Sequence, residues 1–149
     1  MNDQCIFYHL LIPTDGSEAS IRAAELGFRL ALVCKAKVTV MYVMDTSLMD
    51  ELSRFSDRQR NDVRAELRES GWRYVDYLEE LARNYHVSVE KVILEGEPYK
   101  EIVDLAQRSD VDLIVMGHVG RHGPRRILVG SVTERVIEFA NCPVLVVKS

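Results

Sequence analysis

Met116-Gly117-His118-Val119-Gly120, then nine residues, then Gly130-Ser131-Val132-Thr133-Glu134: this stretch decides how the chain is read. It follows an apolar run, Val111 to Met116, and ends at a helix start. A glycine-rich loop leading from a strand into a helix N-terminus is a common cradle for phosphate. Glycine lets the backbone come close and turn freely. The first N–H groups of the helix then face the anion, and the helix dipole favours negative charge there. The expectation is a nucleotide-binding domain.

Working outward, five short apolar runs stand out: Ile6–Ile12, Val38–Met44, Val87–Leu94, Leu113–Met116 and Val144–Val147. The last two are continuous, as strands buried on both faces of a parallel sheet are. The third alternates and carries Glu90 and Lys91, which suits an edge. Helical patterns fill the gaps. Ser17 to Val33 carries the stripe Ile21, Ala24, Leu26, Phe28, Leu30 and Ala31. Asp57 to Tyr85 turns Val63, Leu67, Trp72, Val75, Leu78 and Leu81 inward. Glu97 to Arg108 follows Gly96 with Pro98 in its first turn. Ser131 to Ala140 is the last helix, ended by Pro143. Asp45 to Ser56 reads as a mixed loop that could fold over a ligand or partner.

The order β-α-β-α-β-α-β-α-β predicts an α/β fold: a single open, five-stranded parallel sheet with helices on both faces. In such sheets the ligand sits beyond the carboxyl ends of the strands, where the strand order reverses. With the usual order, strands one and four flank that point. The turns after them are Pro13-Thr14-Asp15-Gly16-Ser17 and the Gly117–Ser131 loop, so the motif-like residues fall where a ligand is expected.

The 149 residues suit one domain, spanning 1–149. A net charge of −4 argues against a nucleic-acid partner. No apolar run reaches the length of a membrane span, and the first residues lack the features of a signal peptide. Cys5, Cys34 and Cys142 show no CxxC or zinc spacing and read as reduced thiols, which predicts a cytoplasmic protein.

Each motif also has a plain structural reading. There is no GxxxxGK[ST] and no GxGxxG after the first strand, so the fourth loop must hold any nucleotide. Gly117, Gly120 and Gly130 are each ordinary turn glycines when taken alone; their joint placement is what suggests a site. Ser131-x-x-Glu134 is also a capping box, and Asp15 with Glu18 resembles a helix N-cap. His118 and His122 stand four apart, but Gly120 and Gly123 oppose the helix a metal pair would need. Arg121, Arg125 and Arg126 are singly a solvated surface and jointly a means of neutralising phosphate. No nucleophile, base or paired carboxylates can be named, so no catalytic residue is assigned.

Leu11-Ile12-Pro13-Thr14-Asp15-Gly16-Ser17-Glu18 resembles the opening of the universal stress protein family. Asp112 to Gly117, the G-x2-G-x9-G-[ST] spacing and Cys142-Pro143-Val144-Leu145-Val146-Val147 resemble its C-terminal half, and Gly96-Glu97-Pro98 its third-helix start. The resemblance is weakest from Asp45 to Tyr85. It implies a Rossmann-like, adenine nucleotide alpha hydrolase-like fold. The full glycine spacing resembles that of the ATP-binding members.

By this resemblance Pro13, Thr14, Asp15 and Val43 line the adenosine. Met116, Gly117, Val119 and Gly120 approach the ribose and phosphates, with Arg121 beside them. Gly130, Ser131, Val132 and Thr133 hold the phosphates. The cofactor implied is ATP, with AMP and ADP as alternatives, and Mg2+ or Mn2+ held through the phosphates; no protein metal site is implied. The order His118 then Val119 departs from the family's usual Ser or Thr then His, which moves or removes a histidine role. The resemblance also implies a homodimer through the last strand, and Val144–Val147 has no guarding charge before Lys148. The expected function is a nucleotide-dependent switch or sensor in the stress response, with at most slow hydrolysis. The alternatives are a nucleotide-free interaction module and a slow ATPase.

Overall fold

A computed structural model describes residues 5–119 and 129–148. Its elements run β1 (His9–Pro13), α1 (Glu18–Cys34), β2 (Lys37–Asp45), α2 (Thr46–Phe55), α3 (Arg60–Asn84), β3 (Val89–Gly96), α4 (Pro98–Arg108), β4 (Leu113–Gly117), α5 (Ser131–Phe139) and β5 (Val144–Val147). The five strands form one parallel sheet in the order β3-β2-β1-β4-β5. The strand order therefore reverses beside β1, between β1 and β4, and β3 and β5 are the edges, as the sequence predicts.

Alternation along the strands builds two cores. Leu10, Ile12, Val38, Val40, Leu113 and Val115 face α1 and α3 through Ala24, Phe28, Val75 and Leu78. Leu11, Met41, Ile114 and Met116 face α4 and α5 through Ile102, Leu105 and Val136. Leu10, Leu11, Ile12 and Ile114 are fully buried. Each such side chain contributes about 1.5–3 kcal/mol of transfer free energy.

Several expectations change. Asp45–Ser56 is not a loop: the Asp45 carboxylate caps α2 by accepting the Ser47 N–H at 2.9 Å, and Met49 is buried beneath the helix. Trp72 and Leu26 are substantially exposed, at 44% and 39%. On α3 the inward position is taken by Gly71, because an added Cβ there would lie 2.5 Å from the Tyr42 ring. On α1 the small residues Ala23 and Gly27 carry the buried face instead of Leu26. Cys5 and Cys34 form a disulfide, Cα atoms 5.2 Å apart, so the reduced-thiol reading holds only for Cys142. Among the described residues no helix is long and apolar enough to cross a membrane.

Candidate functional site

The two turns that the sequence singled out meet at the carboxyl ends of β1 and β4. Leu11 is in register with Ile114; two residues further along these strands stand Pro13 and Met116. Both are buried. Val43 lies on neighbouring β2, two residues past Met41, whose carbonyl accepts the Thr14 N–H at 2.8 Å.

The β1 turn is held by its own polar groups. The Thr14 hydroxyl accepts the Gly16 N–H at 3.1 Å and donates to Ser20 Oγ at 2.9 Å. Ser20 in turn donates to the Ser17 carbonyl at 2.8 Å. Gly16 has φ +81°, and a Cβ there would meet the Tyr74 ring at 2.5 Å, so glycine is required both by conformation and by space. Asp15 is not the helix cap. Its carboxylate accepts the Ser17 N–H at 3.0 Å, a local Asx turn, and Ser17 caps α1 by accepting the Ser20 N–H at 3.1 Å. Ser20 and Tyr74 were not foreseen as parts of this end of the sheet. The Ser17-x-x-Ser20 spacing was the available signal for the first. An apolar cavity of about 200 Å³ lies alongside, lined by Thr14, Gly16, Ile21, Tyr74, Tyr77 and Leu78.

The β4 turn is tied down from three sides. The His118 N–H reaches the Val147 carbonyl at 3.1 Å, and its carbonyl accepts the Gly130 N–H. The buried Thr133 hydroxyl donates to the Gly117 carbonyl at 2.9 Å. Gly117 touches the first turn of α1, where an added Cβ would lie 2.8 Å from the Ala19 carbonyl carbon. Its glycine is therefore explained by strand-to-helix packing. Thr133 is likewise committed through its hydroxyl, which leaves its N–H for other work.

Gly130, not Ser131, is the N-cap of α5, and the predicted capping box does not form. Gly130 has no side chain to cap the first turn, so that position leaves the N–H groups of Ser131, Val132 and Thr133 without a side-chain acceptor. The starts of α1 and α5 both lie at this end of the sheet, and each contributes partial positive charge. His118 Nδ1 is buried with no hydrogen-bond partner among the described residues. An uncapped helix start beside an orphaned polar atom fits an anionic ligand. Val119 is half-buried next to them. Gly120, Arg121, His122, Gly123, Arg125 and Arg126 lie outside the described residues. Among the described residues no three His, Cys, Asp or Glu side chains converge as a metal site.

Three comparisons place this geometry among known proteins. The Universal stress protein family profile matches residues 7–148. The universal stress protein MJ0531 of Methanocaldococcus jannaschii is 39% identical over 147 residues, covering 99% of this chain and 85% of the relative. The solved structure of protein MJ0577 from the same organism superimposes with a TM-score of 0.84 at 30% identity, covering 97% of this chain and 98% of that one. The Archaeoglobus fulgidus universal stress protein in complex with dAMP gives 0.68 at 23% identity, covering 95% and 98%. A universal stress protein in complex with cAMP gives 0.63 at 23% identity, covering 95% and 97%. At these last identities the likeness is one of fold.

Proposed function

The chain belongs to the universal stress protein family, and on that premise we propose that it is an ATP-binding member, a homodimeric cytoplasmic switch or sensor in the stress response. The observation that carries the reading is the start of α5, capped by no described side chain and tied through the Gly130 N–H to the carbonyl of His118, whose Nδ1 has no partner among the described residues, at the point where the strand order reverses. The adenine nucleotides held by the related dAMP and cAMP complexes support the choice of ligand class.

In this reading Pro13, Thr14, Asp15 and Val43 line the adenosine, and Met116, Gly117, Val119 and Gly120 lie along the ribose and phosphates. The backbone of Gly130, Ser131, Val132 and Thr133 holds the phosphates, and Arg121 offsets their charge. Mg2+ or Mn2+ is held through the phosphates. ATP supplies charge and binding energy that differ before and after loss of its terminal phosphate. Hydrolysis is slow at most in this reading, which assigns neither Asp15 nor His118 the role of a base for water. The second copy pairs along β5.

Calorimetric titration of nucleotide-stripped protein with ATP and Mg2+, then with AMP, tests the proposal. Micromolar ATP binding, lost in Gly130→Glu with the far-UV spectrum unchanged, is the expected result. Gly130 has φ −68° and ψ 160°, a backbone any residue accepts, but it is buried, so the substitution adds charge and bulk at the helix start and its fold is checked by the spectrum. Unaltered affinity in that variant would sink the site assignment. No heat with any adenine nucleotide would favour the nucleotide-free module, which the internal engagement of the Thr14 and Thr133 hydroxyls already suits.

A further inference from the structure

We propose that Cys5 and Cys34 form a reversible thiol–disulfide site, a redox clasp that pins the N-terminal arm to the end of α1 and is oxidised by low-molecular-weight disulfides. The two cysteines are 29 residues apart in sequence and are brought together by the fold. Helix α1 stops at Cys34 because Lys35 is left-handed, at φ 56°. The chain then enters β2, where the Lys37 N–H bonds the Tyr8 carbonyl at 2.9 Å. That contact sets residues 34–37 beside residues 5–8, and both Cys5 and Cys34 are half-buried at the surface.

The clasp is peripheral to the sheet. Strand β1 begins only at His9, and the Asp112 carboxylate already holds the N–H groups of Tyr8 and His9 at 2.8 and 3.0 Å. Opening the bond therefore frees Cys5 and Ile6, up to Phe7, which stays packed on the core, and leaves the strand register in place. Both cysteines keep part of their surface in solvent, and no bulky buried layer covers them on the chain side: Ile6 is 71%, Tyr8 72% and Val33 78% exposed. The proposal rests on the cytoplasmic location proposed above: in such a reducing compartment disulfides are transient or sensing rather than structural, and a surface bond of this kind is poised to change state.

The exchange balances without a further reactant. One protein thiolate attacks a sulfur of RSSR, forming a mixed disulfide and releasing RS⁻. The second protein thiolate then attacks the protein sulfur of that mixed disulfide and releases the second RS⁻. The two protons lost from the cysteines end on two RSH. The protein gives up two electrons and RSSR accepts them. Cys142, in the turn before β5, stays outside the pair, and burial pushes its thiol up and away from reactivity.

The full chain is equilibrated in graded ratios of oxidised to reduced glutathione, quenched in acid, alkylated in denaturant and weighed intact. The expected result is a passage from three alkyl groups per chain to one across the titration. Limited proteolysis of the reduced form should add cleavage before His9 only. Cys34→Ser should hold one glutathione on Cys5. Three alkyl groups at every ratio, or one alkyl group even under excess dithiothreitol, would overturn the proposal. So would an arm equally protected in both states, or a Cys5→Ser variant that no longer unfolds cooperatively. The clasp lies about 25 Å from Ser17, at the far end of α1. A failed ATP titration leaves this test untouched.

Discussion

Replacing Gly117 with alanine separates what this glycine does for packing from what it does for a ligand. The added Cβ would lie 2.8 Å from the Ala19 carbonyl carbon, 2.9 Å from its oxygen and 3.0 Å from its Cβ. These are backbone atoms and a methyl group on the first turn of α1, so no rotamer change relieves the contact. Helix and strand must part, which disturbs the Ser17–Ser20–Thr14 hydrogen bonds on one side and the Thr133 bond on the other. Overpacking of this kind costs about 1–3 kcal/mol. In a chain of this length each kcal/mol lowers the melting temperature by about 2–4 °C, so the fall should be about 2–12 °C. Thermal unfolding followed by circular dichroism, without nucleotide, reads it directly. A Gly117→Ala protein that melts with the wild type would refute the packing argument and return this glycine to the ligand alone.

Thr133→Val should destabilise by about 1–3 kcal/mol, because the buried Gly117 carbonyl loses its hydroxyl donor while the volume is kept. Thr133→Ser should recover most of the loss in urea unfolding; equal losses in both would refute the hydrogen-bond account. Lys91 on β3 bonds Glu79 and Asp76, both at 3.0 Å, and these bonds raise its pKa above the ordinary 10.5. A raised folded-state value means that the stabilisation is fully present below pH 10.5 and fades as pH climbs through the folded value. The urea midpoints of wild type and Lys91→Met should therefore differ at pH 7 and converge in strong alkali; a gap that widens with pH would contradict the assignment.

The sheet was legible because its central strands are buried on both faces, and that leaves continuous apolar runs such as Leu113–Met116. The β3 edge was legible because Glu90 and Lys91 interrupt its run. Helix α2 escaped notice because it is short and only Met49 and Leu52 hold it to the core, although Leu48, Met49 and Leu52 do stand at helical spacing. Trp72 misled because size suggests burial, whereas the tight approach of α3 to Tyr42 required Gly71 at the inward position. The two helix starts were each placed off by one kind of contact. Asp15 has the right chemistry to cap, but Ser17 stands where the cap is needed, and Ser131 gave way to Gly130. The disulfide had no local signature, since only the fold brings residues 5 and 34 together. At the candidate site, Gly117, Met116 and Pro13 meet as the sequence suggested, but the partnership of Thr14 with Ser20 depends on how α1 leaves the turn.

The two margins of the sheet are unlike. Along β3, Glu90 pairs with Lys37, Lys91 with Asp76 and Glu79, and Glu95 with Arg64, so an approaching strand meets charge near both ends of the margin. Along β5 it meets only Val144, Leu145, Val146 and Val147. Two copies joined margin to margin at β5, as the proposed dimer has them, would be related by a two-fold axis, and each would use up the one sheet margin that carries no charge among the described residues. What remains outward on both is β3. In the proposed dimer growth would therefore terminate at ten strands, and the same four-residue strand that invites company would also limit it to one companion.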